Sequence, residues 1–110
     1  MDTARIVLVT HPPRGARAFA RRLVADRLAA CVNLIALNSV YRWDDAVEEG
    51  RETLLVIKTA AGRLDALERH VKSTHPYDTP EFVALETAHV EASYLRWVLR
   101  ETRTPRRRRN

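Results

Sequence analysis

Apolar positions in this 110-residue chain repeat with two different periods, and the switches between them divide it into seven segments. Residues 5–10 (Arg5-Ile6-Val7-Leu8-Val9-Thr10) are a β-branched and aliphatic run closed by His11-Pro12-Pro13, which predicts a buried strand entering a loop. Over residues 16–27, Ala16, Phe19, Ala20, Leu23 and Val24 recur at the spacing of one helical face. Residues 31–43 are rich in Val, Ile, Leu, Tyr and Trp and predict a strand of unusual length. Asp44-Asp45 is the expected turn, with Glu48-Glu49-Gly50 as a competing site. The returning strand covers 53–59 and starts earlier, near Ala46. A second helix is expected over 63–73, with Leu64, Leu67 and Val71 on one face. His75-Pro76 ends it, because a residue before proline is pushed out of the α region. A short strand over 82–86 and a helix over 91–100, with Glu91 favourable at its N-terminal end, complete the order.

That order, β-α-β-β-α-β with one more helix, is the split βαβ pattern of an α+β, ferredoxin-like sandwich. Two helices cover one face of a four-stranded antiparallel sheet, and the apolar residues of the other face need a different cover. Strand length adds a second demand. Strands commonly run about five or six residues, whereas the central hairpin strands are roughly twice that. Their far halves have no partner within the domain, and a long unpaired apolar edge invites another chain. Self-association around the hairpin is therefore expected.

Composition leaves this picture intact. The chain is 45% hydrophobic and 30% charged, ordinary for one small globular domain, here expected over residues 1–103. No apolar run approaches the length of a membrane span, and a secretory signal is not recognisable, so the expected compartment is the cytosol. The net charge of +5 suggests nucleic acid until it is located. Residues 100–110 hold six arginines and one glutamate, which leaves residues 1–99 balanced at 13 basic and 13 acidic. Specific nucleic-acid binding by the folded face is not expected, since a basic excess should then lie on the fold. Residues 104–110 read as a disordered Arg-rich tail. Cys31, the only cysteine, sits in an apolar stretch and reads as a small hydrophobe.

No catalytic set emerges: there is no Gly-rich phosphate loop, and Ser39, Ser73 and Ser93 lie outside nucleophile motifs. His11, His70, His75 and His89 lack the spacing of a zinc site. The most unusual segment is His75-Pro76-Tyr77-Asp78-Thr79-Pro80-Glu81, where two prolines stiffen a loop that presents His, Tyr, Asp and Glu. It reads either as a rigid corner, with His75 against the last carbonyls of the helix, or as a pocket edge offering ligands to a cation. Tyr94 and Trp97, three apart on the last helix, suit packing, including packing between subunits.

Taken together, Leu28-Ala29-Ala30-Cys31-Val32-Asn33, then Ser39, Tyr41 and Trp43, Ile57-Lys58-Thr59, His75-Pro76-Tyr77, Pro80-Glu81, and Tyr94-Leu95 with Trp97 resemble the CutA divalent-cation tolerance family. The resemblance spans about residues 5–99. It implies a compact homotrimer built through the long hairpin, similar in architecture to PII signalling proteins. It also implies a role in tolerance of divalent cations, chiefly copper, with no established enzymatic reaction and no organic cofactor. Some members have copper ligands proposed at a Cys ending the first strand and a His in the His-Pro-Tyr segment. Here the first position is Val9 and the residue before His75 is Thr74, so His75 alone carries over. His11, two residues beyond Val9, is the candidate substitute. Loss of the thiolate weakens a preference for Cu(I). Asp45 stands where the family usually has Gly, which leaves the turn type open.

Two functions follow as expectations. The first is a non-catalytic metal-handling trimer with His75 and His11 as ligands for copper or another divalent cation. The second is a small-molecule sensor or adaptor whose intersubunit clefts are lined by Tyr77, Glu81, Tyr94 and Trp97. Non-specific RNA or membrane-surface contact by Arg106 to Arg109 is a weaker third, since terminal charge runs are commonly just solvated.

Overall fold

The structure, a computed structural model, describes residues 2–104. The expected Arg-rich tail lies, from residue 105 on, outside the described residues. Strand β1 (Ala4–His11) leads to helix α1 (Ala16–Ala25), followed by the hairpin strands β2 (Cys31–Trp43) and β3 (Ala46–Ala60). A 3-10 turn then enters α2 (Leu64–Thr74), and β4 (Val83–Glu86) and α3 (Ala92–Glu101) complete the chain. The sheet order is β2-β3-β1-β4 with every neighbouring pair antiparallel, the ferredoxin-like arrangement expected from the segment order.

Alternation sorts each strand's side chains between two faces. Val7 and Val9 of β1 and Leu55 and Ile57 of β3 point to one face, where α1 (Ala16, Ala20, Leu23) and α2 (Leu67, Val71) bury them in the main core. Ala4 lies on the other face, where Val98 of α3 packs against it and Ala30 in a second, smaller cluster. The third helix thus covers one end of the second face. Ile35, Trp43, Val83 and Leu85 on the rest of that face stay exposed.

The hairpin carries the length expected of it. Strand β1 stops opposite Thr53, at His11, so residues 46–52 of β3 pair only with β2. Asp44 and Asp45, with φ of 50° and 62°, make the two-residue turn between Trp43 and Ala46. This is a type I′ geometry, which needs both central residues in the left-handed region that Asp tolerates better than most. Gly50, in the competing site, is an ordinary strand residue opposite Ser39.

Helix α1 ends two residues earlier than its periodicity predicts. Arg27 turns into the left-handed region at φ 58°, and the Leu28 and Ala29 N–H groups fold back onto the Leu23 carbonyl. Such a stop usually takes glycine; an arginine here gives no warning in the sequence. No helix among the described residues is long and apolar enough to cross a membrane.

Candidate functional site

Two chain reversals meet at the end of the sheet where β1 finishes. Pro12 and Pro13 follow β1, and Gly15 at φ 87° starts α1. A Cβ on Gly15 would lie 3.5 Å from Cε1 of the His11 ring, an ordinary van der Waals distance, so the helix starts beside that imidazole. On the other side α2 ends at Thr74, and His75 takes an extended conformation ahead of Pro76. His11 and His75, 64 positions apart, are thereby buried side by side, their ring centroids 4.9 Å apart edge to face. Phe19 of α1 packs against both, at 4.9 Å and 5.7 Å, and His70 lies 6.2 Å from Phe19.

Hydrogen bonds fix the protonation sites of the two rings. A carbonyl only accepts, so His75 Nε2 carries the hydrogen that it donates to Thr10 O at 2.8 Å. Its Nδ1 accepts from the Tyr77 N–H at 3.0 Å, and both nitrogens of the neutral ring are engaged. Contact with the last carbonyls of α2, the simple corner reading, is made by the His75 backbone N–H to Val71 O instead. Burial, opposed by the Thr10 carbonyl and reinforced by His11, holds His75 below the usual histidine pKa. His11 donates from Nδ1 to Pro12 O at 2.8 Å, which leaves Nε2 as its lone-pair nitrogen, without a partner among the described residues.

Across the sheet edge from this pair, residues 76–81 and the outer hairpin enclose a cleft of about 750 Å³. Tyr77 and Glu81 line it with Thr10, Glu52, Tyr41 and Trp43. The Tyr77 hydroxyl donates to Glu52 Oε2 at 2.9 Å. Burial first, then this carboxylate, pushes the phenol up to about 12. Burial and the nearness of Glu52 also raise the Glu81 pKa, against a hydrogen bond from Thr10. Among the described residues no three of His, Cys, Asp and Glu converge as a preformed metal site.

The expected residues thus fall into three places. His11 and His75 share the buried cluster, and Tyr77 joins it to the cleft that holds Glu81, its ring 4.8 Å from His75. Tyr94 and Trp97 stand apart, 5.5 Å from each other on α3, and line no part of the cleft within one protomer. Burial and the nearby Cys31 raise the Tyr94 phenol pKa. Glu52, Thr10 and Phe19 are contributors that sequence reasoning missed. Glu52 sits one residue beyond the β1–β3 ladder, and only the register places it there.

The sequence of the CutA1 divalent ion tolerance protein family matches residues 5–101. The divalent-cation tolerance protein CutA of Thermus thermophilus is 44% identical over 99 residues, which cover 88% of this chain and 96% of that protein. A chloroplastic CutA 1 of Oryza sativa is 42% identical over 100 residues, 89% of this chain but 56% of the plant protein, so the chain spans about half the length of that relative. Among solved structures, the PII-like protein CutA from a Nostoc species in apo form aligns with a TM-score of 0.87 and 33% identity, covering 90% of this chain and 97% of that one. With a match across nearly all of its folded length, the chain belongs to the CutA1 divalent ion tolerance family.

Proposed function

We propose that this chain is a non-catalytic, cytosolic homotrimer that serves divalent-cation tolerance by holding copper or another divalent cation weakly at His11 and His75. The observation that carries the reading is the edge-to-face meeting of these two imidazoles, 4.9 Å between centroids, at the mouth of two chain reversals. His11 offers Nε2 directly. His75 offers Nδ1 only if Tyr77 releases its N–H bond, so binding carries the cost of a local rearrangement and is weak and reversible. Val9 supplies no thiolate, which favours Cu(II) or another imidazole-binding ion over Cu(I). Family membership supports the cation role, and the exposed apolar hairpin supports assembly.

Calorimetric titration of the purified assembly with Cu(II) tests this. Saturable binding tighter than about millimolar is expected, weakened about tenfold or more by His11→Asn and by His75→Ala. Binding unchanged by both substitutions, or none at all, overturns the assignment.

A further inference from the structure

Lys58 is out of place on the sheet face that α1 and α2 leave uncovered. It stands in one row with Cys31, Ile6 and Leu85, and the next two rows toward the hairpin turn hold no charged residue. Its side chain is half-buried. Among the described residues ion pairs form at Arg22–Asp26 and Arg100–Glu101, and Lys58 joins neither. Lysine is also rare here, with Lys58 and Lys72 set against seventeen arginines. A lysine lays an aliphatic stem across an apolar surface and delivers a compact charge at its far end.

Covering this face with another copy of the chain takes that ammonium out of water. Without an anion the cost is severe, so the assembly has to bring a carboxylate to it. The face carries unmatched carboxylates at its other end. Glu52, Asp78 and Glu81 line the cleft beside residues 76–81, and no Lys, Arg or His stands among the lining residues described. The cleft opens on the same face as Lys58, because Ser39, Tyr41 and Trp43 reach it from the same alternate positions of β2 as Ile35. Within one protomer the two ends do not meet. Glu52 lies six positions from Lys58 along β3, about 20 Å at the rise of a strand. Thr10, which bonds Glu81, pairs with Leu54, four positions and about 13 Å away.

We propose that Lys58 of one protomer enters the cleft of its neighbour and pairs there with Glu81, beside Glu52. In a cyclic trimer each protomer then gives its lysine to one neighbour and its cleft to the other, so every cleft is completed by a second chain. Burial and Glu52 hold the Glu81 pKa up in the protomer, and the incoming ammonium supplies the counter-charge that is missing there. Shielded inside the interface, the pair is little screened by salt. The inference rests on the self-assembly proposed above and is independent of the histidine site.

Charge exchange on the full chain, read by light scattering, is the test. Lys58→Glu sets a carboxylate against Glu81 and should lower the mass from three protomers to one. Adding Glu81→Lys to it should restore the trimer, which a merely misfolded variant would not do. Lys58→Arg should keep the parent mass. Carbodiimide, which joins an amine to a carboxylate in contact, should link protomers of a Lys72→Arg chain through Lys58 and Glu81 or Glu52, as mapped on the linked peptides. A parent protein that is itself a monomer overturns the assembly reading and this pairing with it. A trimeric parent overturns the pairing alone if Lys58→Glu stays trimeric, if the double exchange assembles no better than Lys58→Glu, or if Lys58 is linked to carboxylates outside the cleft.

Discussion

The Tyr77 amide and the His75 imidazole are linked at 3.0 Å, N–H to Nδ1, and the same ring reaches Thr10 O through Nε2 at 2.8 Å. One side chain thereby ties the loop after α2 to the end of strand β1. It fixes the wall of the cleft, since Tyr77 goes on to bond Glu52 through its hydroxyl. The imidazole is buried, with Phe19 and His11 against it, so the link is shielded from competing water.

Replacing His75 should therefore be costly before any metal is considered. His75→Ala leaves a partly buried carbonyl and amide unpaired and a gap beside Phe19, a loss of about 2–4 kcal/mol. His75→Asn can still accept from Tyr77, and His75→Gln can still donate toward Thr10, so each should recover part of that loss. Guanidinium unfolding at one fixed protomer concentration measures the series. An alanine variant as stable as the parent would show that the ring carries no structural load.

How much of this was readable beforehand differs from element to element. The strands and helices follow from apolar period, and the long hairpin is visible because Ile35, Tyr41, Trp43 and Val47 continue the strand pattern beyond what a small domain can pair. Family residues such as His75 and Tyr77 could be named from their motif. Their surroundings could not. His11 meets His75 only because two chain reversals bring positions 64 apart together, and neither carries a helical or strand period. Glu52 belongs to the cleft because the turn falls at Asp44-Asp45; a turn at Glu48-Glu49-Gly50 would have moved it to another register. The end of α1 is hidden in the same way, by an arginine doing what glycine usually does.

Acid stability gives a second prediction, at the start of α3. Glu91 accepts from the Ser93 hydroxyl and from the Ser93 and Tyr94 N–H groups, at 2.9 Å and 3.1 Å for the amides, as the helix N-cap. These bonds, the hydroxyl first, hold its pKa down to about 2 from an ordinary 4.5. A carboxyl more acidic in the folded state binds fewer protons there than in the unfolded chain. Its contribution is thus complete above about 4.5 and fades as pH falls toward about 2. Carboxyl-carbon NMR should find Glu91 titrating near 2, and Glu91→Gln should flatten the stability curve over that window. A Glu91 that titrates at its ordinary value sinks this account.

The last prediction concerns what covers the sheet. Ile35 of β2 and Leu85 of β4 stand on the face away from α1 and α2, 49% and 43% exposed, with Trp43 and Val83 exposed on the same face. An apolar face of this kind, beside a β3 segment of residues 46–52 that no β1 residue pairs, is unstable in water as a lone protomer. A second and third copy of the chain can bury it, and the preference should be apolar and hence nearly independent of salt. Light scattering at micromolar concentration should report three protomers for the parent protein in both low and high salt. Ile35→Glu together with Leu85→Glu places like charges on the face to be buried. Neither side chain belongs to a buried cluster, so the protomer should keep its secondary structure while the assembly dissociates. A parent protein that runs as a monodisperse monomer, or a double variant that remains trimeric, contradicts assembly through this face.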